Sequence, residues 1–103
     1  MKLIKLMEEL IEEEIHDIKK YAKLAAEVKD THPLLAQTFF ALSTQEDGHQ
    51  AALHNEVVKL IEDYRKEHGD PPAAMQAVYD YLHKKHVEKL EEAKHYQDIY
   101  KGK

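Results

Sequence analysis

The chain has no cysteine, and only three glycines and three prolines among its 103 residues. Without Cys there is no disulfide, no thiolate metal site, and no rubredoxin-like or iron–sulfur centre. So few Gly and Pro, with Pro71 and Pro72 adjacent, leave few turns and predict long elements. No long apolar run exists either. The longest, Phe39-Phe40-Ala41-Leu42, falls far short of a bilayer span, so no membrane partner is expected. The charged start Met1-Lys2-Leu3-Ile4-Lys5 does not read as a secretory leader, and a cytoplasmic location is expected. Positive charge is not in excess: the net charge is −5 with His neutral, which argues against nucleic acid as a partner.

Lys, Glu, Ala and Leu dominate instead, a helical composition. The length fits one domain. An apolar fraction of 43% supports a core, though a thin one, so self-association is expected. Apolar periodicity predicts an all-α fold of three helices, over about 3–29, 33–68 and 73–100. Asp30-Thr31-His32-Pro33 separates the first two, since proline is well tolerated in a first helical turn. Gly69-Asp70-Pro71-Pro72 stops the second. A short turn makes the first two helices an antiparallel hairpin.

Each helix shows an apolar stripe. The first carries Leu3, Met7, Leu10, Ile11, Ile18, Ala22, Ala25 and Val28, with Glu8, Glu12, Asp17, Lys19 and Lys23 on the polar face. The second carries Leu35, Phe39, Leu42, Glu46, His49, Leu53, Val57, Leu60 and Tyr64, close to an unbroken heptad pattern. The third carries Met75, Tyr79, Leu82, His86, Leu90, Ala93 and Tyr96 or Gln97.

Three ionisable groups interrupt these stripes. Glu46-Asp47-Gly48-His49 is a Glu-x-x-His spacing, which puts Glu46 and His49 on one helical face. Glu14 interrupts the first stripe between Ile11 and Ile18. With the turn centred near residues 31 and 32, Glu14 faces His49 and Glu46 lies one turn away. All three meet roughly 26 Å from the turn at 1.5 Å per residue. A buried carboxylate costs several kcal/mol, roughly, unless something neutralises it, and a shared metal ion is the simplest cause for three. One hairpin thus supplies half of a di-iron carboxylate set, and two hairpins about a two-fold axis complete it. Their four carboxylates carry −4, which two divalent cations balance.

Other groups read as surface or packing. Glu92 and His95 repeat the Glu-x-x-His spacing, but off the third stripe and beside Glu88, as a solvated face. Glu13 lies nearer the polar flank than Glu14, His16 reads as surface, and Glu56 as a rim residue. His83 and His86 form His-x-x-His, able to bind a metal, although a core His satisfied by a hydrogen bond is the commoner case. Tyr79, Tyr81, Tyr96 and Tyr100 read as packing. Gly48 costs its helix roughly 1 kcal/mol against Ala, which suits either a close approach at the site or no role.

Glu14, then Tyr21 and Ala25, then Gln45-Glu46-Asp47-Gly48-His49 about thirty residues on, resemble the ferritin-like superfamily. The nearest branches are the rubrerythrins and the encapsulated ferritins. The resemblance covers about residues 8–64. It implies a half-bundle per chain and a homodimer or larger ring-like oligomer. It further implies an iron centre between chains, with Glu14, Glu46 and His49 as ligands and Tyr21 beside them. The implied activity is ferroxidation, with iron storage and an encapsulin shell as associated expectations. Two features depart from the pattern. No second Glu plus Glu-x-x-His lies in the stripes, and Asp98-Ile99-Tyr100-Lys101-Gly102-Lys103 contains no motif like a shell-docking tail. The alternatives are a non-catalytic helical dimerisation module, in which the polar seam residues set register, and a structural zinc or manganese site.

Overall fold

A computed structural model describes residues 2–103. Its elements are α1 (Lys2–Val28), α2 (Pro33–His68) and α3 (Ala73–Lys101), and the described residues include no strand. The molecule is a rod of 56 × 19 × 18 Å. Its length is that of α2, whose 36 residues span about 54 Å at 1.5 Å each. No helix is long and apolar enough to cross a membrane.

The expected punctuation sets the helix ends. Pro33 stands in the first turn of α2, and the His32 carbonyl accepts from the Ala36 N–H at 2.9 Å. Gly69, at φ 76°, turns the chain out of α2 while its N–H donates to the Arg65 carbonyl. Gly102 closes α3 in the left-handed conformation, and the helix runs one residue beyond its expected end. Only a residue without Cβ takes these positive φ values without strain.

α1 runs antiparallel to α2 and parallel to α3, and it holds the other two together; α2 and α3 touch only sparsely. The register against α3 is fixed by Lys85 with Glu12 at 3.2 Å and by Lys19 with Glu92. Between α1 and α2, the Ser43 hydroxyl donates to the Ile18 carbonyl at 2.8 Å and accepts from Gln97 of α3 at 3.0 Å. This buried link ties all three helices, and small neighbours such as Ala22, Ala25 and Ala36 let them approach closely.

The buried arcs of α1 and α2 correct the sequence stripes. α1 buries Ile4, Ile11, Ile15, Ile18, Ala22 and Ala25, whereas Leu3 and Leu10 stay 50% and 37% exposed. α2 buries Ala36, Ser43 and Gln50, offset by one residue from the expected Leu35, Leu42 and His49, and rejoins the expected stripe at Val57, with Leu53 and Leu60 packed on the core. The cause is α3. Because α1 packs against two helices, its covered arc points to the seam between them, and part of the expected stripe is left on an outer flank. The α3 stripe holds: His86, Ala93 and Gln97 are buried, with Tyr79 and Leu90 packed on the core. Glu8 also departs from expectation: it is half-buried against α3 instead of standing on a solvated face.

Candidate metal centre

Glu14, Glu46 and His49 converge. Each offers one donor atom, and these atoms lie within 4.8 Å of one another, the sole such group of three among the described residues. His49 Nδ1 stands 3.6 Å from Glu14 Oε2 and 3.5 Å from Glu46 Oε2. Both separations exceed hydrogen-bond length, so neither carboxylate is satisfied by the imidazole. Glu14 Oε2 is screened from solvent and has no hydrogen-bond partner. An acceptor in that position costs about 1–3 kcal/mol unless something else neutralises it.

Helix geometry explains the convergence. Glu46 and His49 are one turn apart on α2, and the antiparallel register brings Glu14 of α1 alongside. The residues of α1 that meet α3 are Glu8, Glu12 and Lys19. At 3.6 residues per turn, Glu14 is rotated from them by roughly 120–160°. The centre therefore opens on the outer flank of the α1–α2 pair, away from α3. Glu14 and Glu46 are half-buried in the groove, while the His49 side chain is 62% exposed and free to turn toward an ion. Two carboxylates and one imidazole suit a borderline or hard divalent cation.

Tyr21 lies two turns along α1 from Glu14. Its ring stacks on Phe39, with centroids 6.2 Å apart, and Lys20 lies over it. It therefore belongs to the same α1–α2 face. A Cβ added at Gly48 would meet nothing within 4 Å, so no close approach within this chain requires the glycine.

The remaining candidates separate cleanly. Glu13 and His16 are exposed, as are Glu92 and His95, and Glu92 is paired with Lys19. Glu56 is exposed and pairs with Lys59 at 3.2 Å. Tyr100 packs on Phe40 and Tyr96 lies beneath Lys19 and Lys23, whereas Tyr81 is exposed. His86 is buried with Nδ1 3.2 Å from Glu8 Oε2, and His83 stacks on His54. Sequence reasoning missed Glu8 and His54. The signal for Glu8 lay in the parallel α1–α3 register, which sets the His86 stripe position against the first turns of α1. His54 lies one turn after Gln50, half-buried beside the buried series of α2.

No family model, curated protein or solved structure matches the chain.

Proposed function

We propose that the chain is an iron-binding protein of ferritin-like type that oxidises Fe(II) at a di-iron carboxylate centre shared by two copies. The observation that carries this reading is the convergence of Glu14, Glu46 and His49, with Glu14 Oε2 screened from water and without a partner. The donor set fits: carboxylates tolerate both valences of iron, and one imidazole per metal suits a borderline ion. When bound, iron supplies one-electron chemistry, each Fe(II) giving one electron to dioxygen or peroxide.

The residues of the chain do the rest. Glu14 and Glu46 hold the Fe(II) substrate and balance its charge. His49, exposed at the mouth of the groove, adds a neutral donor. A second copy supplies the matching set, and four carboxylates then face two divalent cations. The outer flank supports such a partner. Leu3, Leu10 and Leu35 are exposed there: Leu10 lies one turn before Glu14, Leu3 a heptad before Leu10, and Leu35 two heptads before His49. Burying them would exclude water around the ions. Tyr21, on the same face, would pack beside the centre.

The direct test is the initial rate of Fe(II) oxidation in air. Glu46→Ala should fall to the uncatalysed background, with far-ultraviolet circular dichroism unchanged. A variant that oxidises Fe(II) as fast as the parent would remove the ferroxidase reading and leave a helical dimerisation module.

A further inference from the structure

α2 and α3 barely meet below the Ser43–Gln97 link, and a groove of about 290 Å³ runs between them. His54 of α2 and His83 and His86 of α3 line it, with Glu8 of α1 at its floor. The same three imidazoles line a second hollow farther along the seam, together with Gln50 and Asn55. Three imidazoles and a carboxylate from all three helices thus line one groove, with donor atoms farther apart than those of the first centre, which uses none of them.

His86 carries the chemistry of the site. Its side chain is only 6% exposed, and Nδ1 stands 3.2 Å from Glu8 Oε2. Its Nε2 is screened from solvent and has no hydrogen-bond partner. A carboxylate facing Nδ1 favours the proton there and leaves the lone pair on Nε2, the carboxylate–histidine arrangement that prepares an imidazole for a metal. His54 and His83 lie beside it, their rings stacked with centroids 5.5 Å apart. His83 sits one turn before His86 on the same face of α3. His83 is exposed and His54 half-exposed, so both rings have room to rotate onto an ion held by His86.

We propose that His54, His83 and His86 form a second metal site, for a zinc-type divalent cation, with Glu8 as the positioning residue behind His86. Three neutral imidazoles with an open fourth position suit a tetrahedral ion of borderline softness. Such an ion would clamp α2 to α3 where they are otherwise loosely joined. The inference is independent of the iron reading, because the two sites share no residue and face different seams of α1.

The test uses the full chain carrying Glu14→Gln, Glu46→Gln and His49→Gln, which silences the first centre. Co²⁺ is titrated and followed by visible absorption, and Zn²⁺ by calorimetry. One ion per chain with the intense bands of tetrahedral Co²⁺ is expected. His83→Ala and His54→Ala, both at accessible positions, should each weaken Zn²⁺ more than the roughly 10-fold typical of losing an orienting neighbour. Glu8→Gln should weaken it by roughly 10–100-fold without changing the stoichiometry. His95→Ala, on the exposed face of α3, should change nothing. His86→Gln should abolish the tetrahedral bands. Octahedral Co²⁺, or binding that survives both His83→Ala and His54→Ala, would overturn the site.

Discussion

The two flanks of α1 carry the same kinds of side chain in opposite states. On the flank covered by α3, Glu8 sits 3.2 Å from His86, Glu12 pairs with Lys85, and Lys19 with Glu92. On the outer flank, Glu14 and Glu46 crowd one imidazole at 3.5–3.6 Å, and Glu14 Oε2 has no partner. Exposed Leu3 and Leu10 share the helix face of the second arrangement, whereas residues of α3 pair with the first. The contrast teaches where the carboxylates are answered. The covered flank sets a basic group of the chain against each acidic one, although His86 Nε2 is left without a partner, and the uncovered flank with converged, unsatisfied carboxylates calls for an ion and for a second surface.

That comparison breaks first at the apolar residues. Ile15, buried between the helices, should lose about 2–5 kcal/mol on Ile15→Ala, because a cavity remains where α1 meets its neighbours. Leu10→Ala, on the outer flank, should cost less than about 1 kcal/mol of chain stability and mainly weaken self-association. Urea unfolding read beside sedimentation separates the two, and equal effects on stability would erase the distinction between the flanks.

A smaller effect of opposite sign is expected at the centre. Glu14→Met removes an unpartnered acceptor and should raise stability in chelator by about 1 kcal/mol. That is the low end of the usual range, because the carboxylate keeps partial access to water. Destabilisation in chelator would show that the chain itself satisfies Glu14.

The smallest effect belongs to the surface pair. Its hydrogen bond from Lys19 holds the Glu92 carboxyl below its ordinary 4.5, and the same bond raises Lys19 above 10.5. The carboxylate's share of stability is fully present above 4.5 and lost as pH falls through the folded value. The ammonium's share is present below 10.5 and lost as pH rises through its folded value. The stability gap between the parent and Glu92→Gln should therefore be small at neutral pH and narrow as pH falls below 4.5. A gap that widens on acidification would contradict the pairing.

Much of this was legible in the chain. Scarce Gly and Pro and two clear stop signals placed all three helices to within one or two residues. The turn length alone set Glu14 against His49. What periodicity could not supply was the rotation of each helix. An apolar arc wide enough to touch two neighbours gives no sign of which half a third helix will cover, so Leu3 and Leu10 read as core while Ile4 and Ile15 went unnoticed. For the same reason Glu8 read as solvated. Its burial follows from where His86 lands, a contact between residues 78 positions apart that no local spacing encodes. Ser43 was hidden because a buried hydroxyl looks like surface until its partner is placed, here Gln97, which the third stripe offers as an alternative to Tyr96.

The most direct test of the shared centre is iron per chain after aerobic Fe(II) loading, measured on size-resolved material. About one iron per chain on a dimer or larger assembly, lost in Glu46→Ala, is the expected result for a di-iron site built from two hairpins. A dimer that binds no iron, and that Glu46→Ala leaves unchanged, would contradict it.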